Sequence, residues 1–134
     1  MNQSRFVQPV LAWFALGFGL LTIASGGHVL FGGEAVRRAM GHYVPFVLWF
    51  NFIAGFAYVS VGFAILWRYS WAVSLSLGIA IASAVVFAAL GIDIAMGGAF
   101  EIRTVIAMTF RTLVWCAIYL ALRRARRQSG EFWR

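Results

Sequence analysis

The chain of 134 residues contains no lysine, only two prolines, a single cysteine and four acidic residues, and charged side chains make up 11% of it. Soluble domains carry about 25% charged residues, so a water-soluble globule is excluded. The lone Cys116 has no second cysteine to pair with, which removes a disulfide scaffold. Few prolines and no polar tracts exclude disordered and collagen-like chains. What is present is apolar: 63% of residues are hydrophobic and 17% aromatic. That composition describes an integral membrane protein.

A membrane helix needs about 20 mostly apolar residues to cross about 30 Å of hydrocarbon. Four stretches qualify, over about 9–31, 44–67, 71–92 and 102–122. They lack the strict alternation of strands, and in lipid only helices or closed barrels satisfy their own backbones. The expectation is an all-α, integral membrane four-helix bundle forming one domain over 1–134, with residues 123–134 as a basic tail. The first span carries a thin basic flank, Arg5, and an apolar run longer than a signal peptide's, so it is expected to stay uncleaved.

All eleven basic residues are arginines. With four spans, Arg5, Arg68, Arg123, Arg124, Arg126, Arg127 and Arg134 share one side. Arg37, Arg38, Arg103 and the intramembrane Arg111 lie on or towards the other. The positive-inside rule then puts both termini in the cytoplasm. The run Arg123, Arg124, Arg126 and Arg127 is juxtamembrane, which points to anionic lipid headgroups rather than nucleic acid as its partner.

An offset of 65 residues aligns Gly26, His28, Gly32, Gly33 and Arg38 with Gly91, Asp93, Gly97, Gly98 and Arg103. Both copies read G-x-[HD]-x-x-x-G-G-x-x-x-x-R, the trace that a tandem duplication of a two-helix transmembrane hairpin would leave. Topology puts both connecting loops on the non-cytoplasmic face. There His28, Glu34, Arg37, Arg38 and His42 meet Asp93, Glu101 and Arg103. Three chemistries compete for this set: a metal held by His and carboxylate ligands, a proton relay, or an anion or headgroup on the arginines. The plain alternative is a set of ion pairs fastening the loops. No tight spacing such as H-x-x-x-H singles out the metal. Haem is not expected, because His28 and His42 sit at opposite ends of a short loop.

Arg111 lies about 13 Å along the fourth span at 1.5 Å per residue. A charge at that depth should face the bundle and find acceptors, unless it snorkels. Thr104, Met108, Arg111 and Trp115 form one helical row, and Asn51, Gly55, Tyr58 and Gly62 form another on the second span. These rows are expected to meet in a seam where glycines permit close approach. The interior polar group is then Asn51, Tyr58, Thr104, Thr112 and Arg111, with Asp93 or Glu101 offsetting the guanidinium.

The stretch Gly41-His42-Tyr43-Val44-Pro45-Phe46, followed by Asn51, Gly55, Gly62 and Arg68, resembles the second helix and preceding loop of DoxX-like membrane proteins. About a third of the chain takes part. Two features depart from that family's pattern: Asn51 stands where a glutamate is common, and no lysine follows the first helix. The resemblance implies a bacterial inner-membrane protein associated with redox or thiol-stress partners and in some cases with quinone-linked enzymes.

Three functions are expected to compete. One is a membrane component, a homo-oligomer or the subunit of a redox-associated complex, whose non-cytoplasmic cleft binds a small ligand, ion or quinone-like headgroup. The second is a small oligomeric transporter or channel. The third, a membrane enzyme using the His/carboxylate cluster, lacks a nucleophile constellation.

Overall fold

The computed structural model describes residues 4–41 and 44–129, with side chains over 7–41 and 44–127. Five helices follow one another: α1 Ser4–Phe31, α2 Glu34–Ala39, α3 Pro45–Leu66, α4 Trp71–Ala95 and α5 Ile102–Ser129. No strand occurs among the described residues. All but α2 are long and apolar enough to cross a membrane. The shortest of those, α3 with 22 residues, is about 33 Å long at 1.5 Å per residue.

Local chemistry sets the helix ends. Val44 is extended before Pro45, which occupies the first turn of α3; proline there loses only an N–H that would have no helical partner. At the end of α4, Gly98 N–H bonds to Asp93 O at 2.9 Å and Gly97 N–H to Ile94 O at 3.0 Å. This Schellman closure needs a left-handed residue, and Gly97 supplies it at φ +89°. The α3 end closes the same way, Tyr69 N–H to Ala64 O and Arg68 N–H to Ile65 O, but with Arg68 at φ 58° where glycine is the usual choice. Arg37 donates from Nη2 to Leu30 O at 2.6 Å, placing a cation at the negative end of α1.

The helices form a ring in the order α1, α3, α4, α5, with the most extensive packing between α1 and α3 and then between α4 and α5. The diagonal pairs, α1 with α4 and α3 with α5, have no Cα atoms within 8 Å. Tight α1–α3 packing comes from glycines. A Cβ at Gly55 would stand 2.7 Å from Ile23 Cγ1 and 3.1 Å from Gly19 O, and one at Gly62 would stand 3.0 Å from Ala12 O. Small residues of this kind let membrane helices approach closely. Gly55 and Gly62 therefore face α1, not α5 as the helical row suggested.

Two apolar clusters fill the interior. The larger, towards the termini, includes Ala12, Tyr58, Val61, Ala64, Ile65, Trp115, Ile118 and Leu122; the smaller, towards the loops, contains Val44, Val47, Leu90 and Met108. Outside the ring, Val10, Leu21, Ile53, Val85, Ile106 and Leu113 are exposed, the surface expected of helices solvated by lipid tails. The expected spans hold to within a few residues, with two additions. The first loop contains the short α2, and α5 continues to Ser129, so Arg123, Arg124, Arg126 and Arg127 stand exposed on its last helical turns.

The repeated motif takes different backbone forms in its two copies. Gly26 packs on Phe52, whereas nothing lies near Gly91. Positive φ falls at Gly33 in one copy and Gly97 in the other, positions that the 65-residue offset does not align.

Candidate functional site

Near the loop end, α1, α3 and α5 leave a cavity of about 320 Å³ between them. Its existence follows from the diagonal gap. Towards the termini, the gap between α3 and α5 is filled by Tyr58 and Trp115, both 0% exposed, with ring centroids 4.6 Å apart. Nearer the loops the facing residues are the smaller Val47, Asn51, Thr104 and Ala107, and the gap stays open. Val29, Val44 and Leu48 complete apolar walls, Met40 contributes from the first loop, and His28, Glu101 and Arg103 belong to the lining near the loops.

Thr22, Asn51 and Arg111 form the deep polar part of the lining. Arg111 Nη1 donates to Thr22 Oγ1 at 3.0 Å, and the threonine hydroxyl donates to Phe18 O at 2.7 Å. The guanidinium carbon stands 5.2 Å from the centre of the Phe18 ring, a cation–π contact worth about 0.5–2 kcal/mol. Phe18 stacks on Tyr58 at 5.4 Å, and Tyr58 meets Trp115. Guanidinium and three rings thus form one column. Arg111 Nε and Asn51 Oδ1 are buried without a hydrogen-bond partner. Below them, the Tyr58 hydroxyl neighbours Arg111, Ser83 and Trp115, yet Tyr58 Oη, Ser83 Oγ and Trp115 Nε1 make no hydrogen bond.

Loop contacts cover this end of the bundle. Arg103 Nη2 donates to Met40 O at 3.3 Å, and the Glu101 carboxylate lies against Gly41. Gly41 has φ +71°, so the turn favours glycine.

Of the residues singled out in the sequence, His28, Asn51, Glu101, Arg103, Thr104 and Arg111 share the cavity. Tyr58 lies beneath it. Thr112 bonds back to Met108 O at 2.8 Å and is not part of the lining. Glu34 and Arg38 pair with each other at 3.2 Å, both more than 80% exposed on α2. Asp93 lies against Gly98 beyond α4, away from the lining. His42 lies outside the described residues. The carboxylate expected opposite Arg111 is replaced by a hydroxyl and a ring: among the described residues, Arg111 forms no ion pair. No three His, Cys, Asp or Glu side chains among the described residues are grouped to hold a metal ion.

Thr22 was not singled out in the sequence. Its only signal there is a hydroxyl inside an apolar run, followed by Ser25 and Gly26 at helical spacing. Neither a family model, nor a curated protein, nor a solved structure matches the chain.

Proposed function

We propose that this chain is a small membrane component that binds a ligand headgroup in the cavity between α1, α3 and α5. One observation carries it: Arg111 and Asn51 line the cavity floor, and the guanidinium has a hydroxyl and a ring beside it but no carboxylate among the described residues. An uncompensated charge in a span costs free energy, and a ligand that meets Arg111 and Asn51 offsets that cost. A ligand, an ion or a quinone-like headgroup is the class in view, and the partial likeness to DoxX-like proteins supports a redox-associated complex as its setting. In this account the termini and the arginines of the α5 end face the cytoplasm of a bacterium, and the loops and the cavity mouth face outward. The motif repeated at an offset of 65 residues supports descent of the two halves from one duplicated hairpin.

Native mass spectrometry of the chain released from mild detergent tests the proposal. A bound non-protein mass is expected on the wild type and absent from Arg111→Leu. Wild-type protein without any such mass, at full occupancy of the folded state, would overturn it.

A transport role draws on a different observation. Tyr58 Oη, Ser83 Oγ and Trp115 Nε1 continue the unsatisfied polar groups below the cavity. Substrate-dependent flux in proteoliposomes, enhanced by Trp115→Ala, would favour it over simple binding.

A further inference from the structure

We infer that the ligand is an organic monoanion, a carboxylate carried on an apolar body, seated with its head on Arg111 and Asn51 and its body among the valines. This rests on the cavity being a binding site, as proposed above, and adds the chemical class.

Charge decides the head. Arginine stays protonated in proteins and carries five N–H donors, and here it sits deep in a span with no carboxylate beside it among the described residues. Thr22 engages Nη1, and Arg111 belongs to the cavity lining. A carboxylate presents two oxygens to the edge of a guanidinium and forms parallel charge-assisted hydrogen bonds there. A neutral carbonyl offers one oxygen and leaves the charge uncompensated. Asn51 lies on the same floor, and its amide can turn either its oxygen or its NH₂ towards the bound head. At the mouth, the formal charges of Glu101 and Arg103 cancel, so the positive field of the cavity comes from Arg111.

The walls decide the body. Val29, Val44, Val47, Leu48 and Ala107 are apolar, which disfavours a compact, strongly hydrated dianion such as phosphate and favours hydrocarbon behind a single charge. A cavity of about 150 Å³ admits benzene, so one of about 320 Å³ accommodates roughly ten to twelve non-hydrogen atoms. An aryl-acetic acid fills it, as does the head and first carbons of a longer acid.

The test uses the full chain in phosphatidylcholine nanodiscs and calorimetric titration with phenylacetate, its neutral isostere phenylacetamide, and 1,4-naphthoquinone. Phenylacetate is expected to bind at least tenfold more tightly than the amide. Arg111→Gln should abolish that preference. Ala107→Phe, which keeps the arginine and fills the cavity, should abolish binding while leaving the thermal transition in place. Oleate doped into the disc distinguishes the source: displacement of phenylacetate identifies a lipid-derived acid, and no displacement a water-soluble one. Equal binding of acid and amide, acid binding that survives Ala107→Phe, or binding of the quinone alone would overturn the monoanion, and equal or quinone-only binding would leave the cavity as a site. If none of the three probes binds folded protein, both the monoanion and the cavity as a binding site fall.

Discussion

Arg111 and Thr22 are 89 residues apart in sequence and joined by a 3.0 Å hydrogen bond, which fastens the last helix to the first and closes the ring. The threonine is 3% exposed, and its loss would leave the Arg111 donor without this partner. Thr22→Val, nearly isosteric, should therefore destabilise the bundle by about 1–3 kcal/mol, the cost of leaving a buried donor unmatched. Thr22→Ser should retain most of the stability. Thermal unfolding in detergent reads both, and a valine variant as stable as wild type would show that the bond contributes nothing.

Glycines at the α1–α3 contact and glycines outside it make opposite demands. Gly55→Ala puts a methyl group 2.7 Å from Ile23 Cγ1 and should cost about 1–3 kcal/mol through overpacking. Nothing lies within 4 Å of a Cβ at Gly17, so Gly17→Ala should be neutral or stabilising by up to about 1 kcal/mol from helix propensity. Equal transition temperatures for the two variants would contradict the close approach of α1 and α3.

Orientation is open to labelling. Cys116 is exposed on α5, so the experiment starts from Cys116→Ser. Single cysteines at Glu34 and Ala99, in the two loops, should react with an impermeant maleimide added to intact cells, whereas one at Arg126 should not. Reversed labelling would overturn the arginine-based orientation.

The arginines on the last turns of α5 should act on lipid. Replacing Arg123, Arg124, Arg126 and Arg127 with glutamine should leave the thermal transition unchanged, since all four are exposed. Preference for anionic over zwitterionic vesicles should fall by about 1 kcal/mol for each charge removed. An unchanged preference would assign these residues no lipid role.

The four long elements were legible because a span must be apolar for its full length, and length is easily read. The short α2 was not, because six residues carry too little periodicity, and the continuation of α5 past Leu122 was not, because arginine marks the membrane surface without ending a helix. At the site, Arg111, Asn51 and Thr104 could be placed on inward rows from spacing alone. The partner of Arg111 could not. Thr22 has only Ser25 as a polar companion at helical spacing, while of the carboxylates that charge arguments favoured Asp93 sits on the last turn of α4 against Gly98 and Glu101 lies in the loop before α5. The row Asn51, Gly55, Tyr58 and Gly62 shows a related limit. At about 100° per residue, its glycines are rotated by roughly 40° from its polar members, enough for one stripe to serve two neighbours. In the fold, Gly55 and Gly62 touch α1, and Asn51 and Tyr58 turn to the interior.

The two rings that span the diagonal between α3 and α5 have an effect at a distance. Because those backbones stay apart, Tyr58 and Trp115 act as a spacer, and the calibre of the opening above them is set by the thickness of an aromatic pair. The width of the cavity is thereby governed by side chains that do not line it. Tyr58→Leu would narrow the aperture by letting the helices lean together, without altering a single group in its lining.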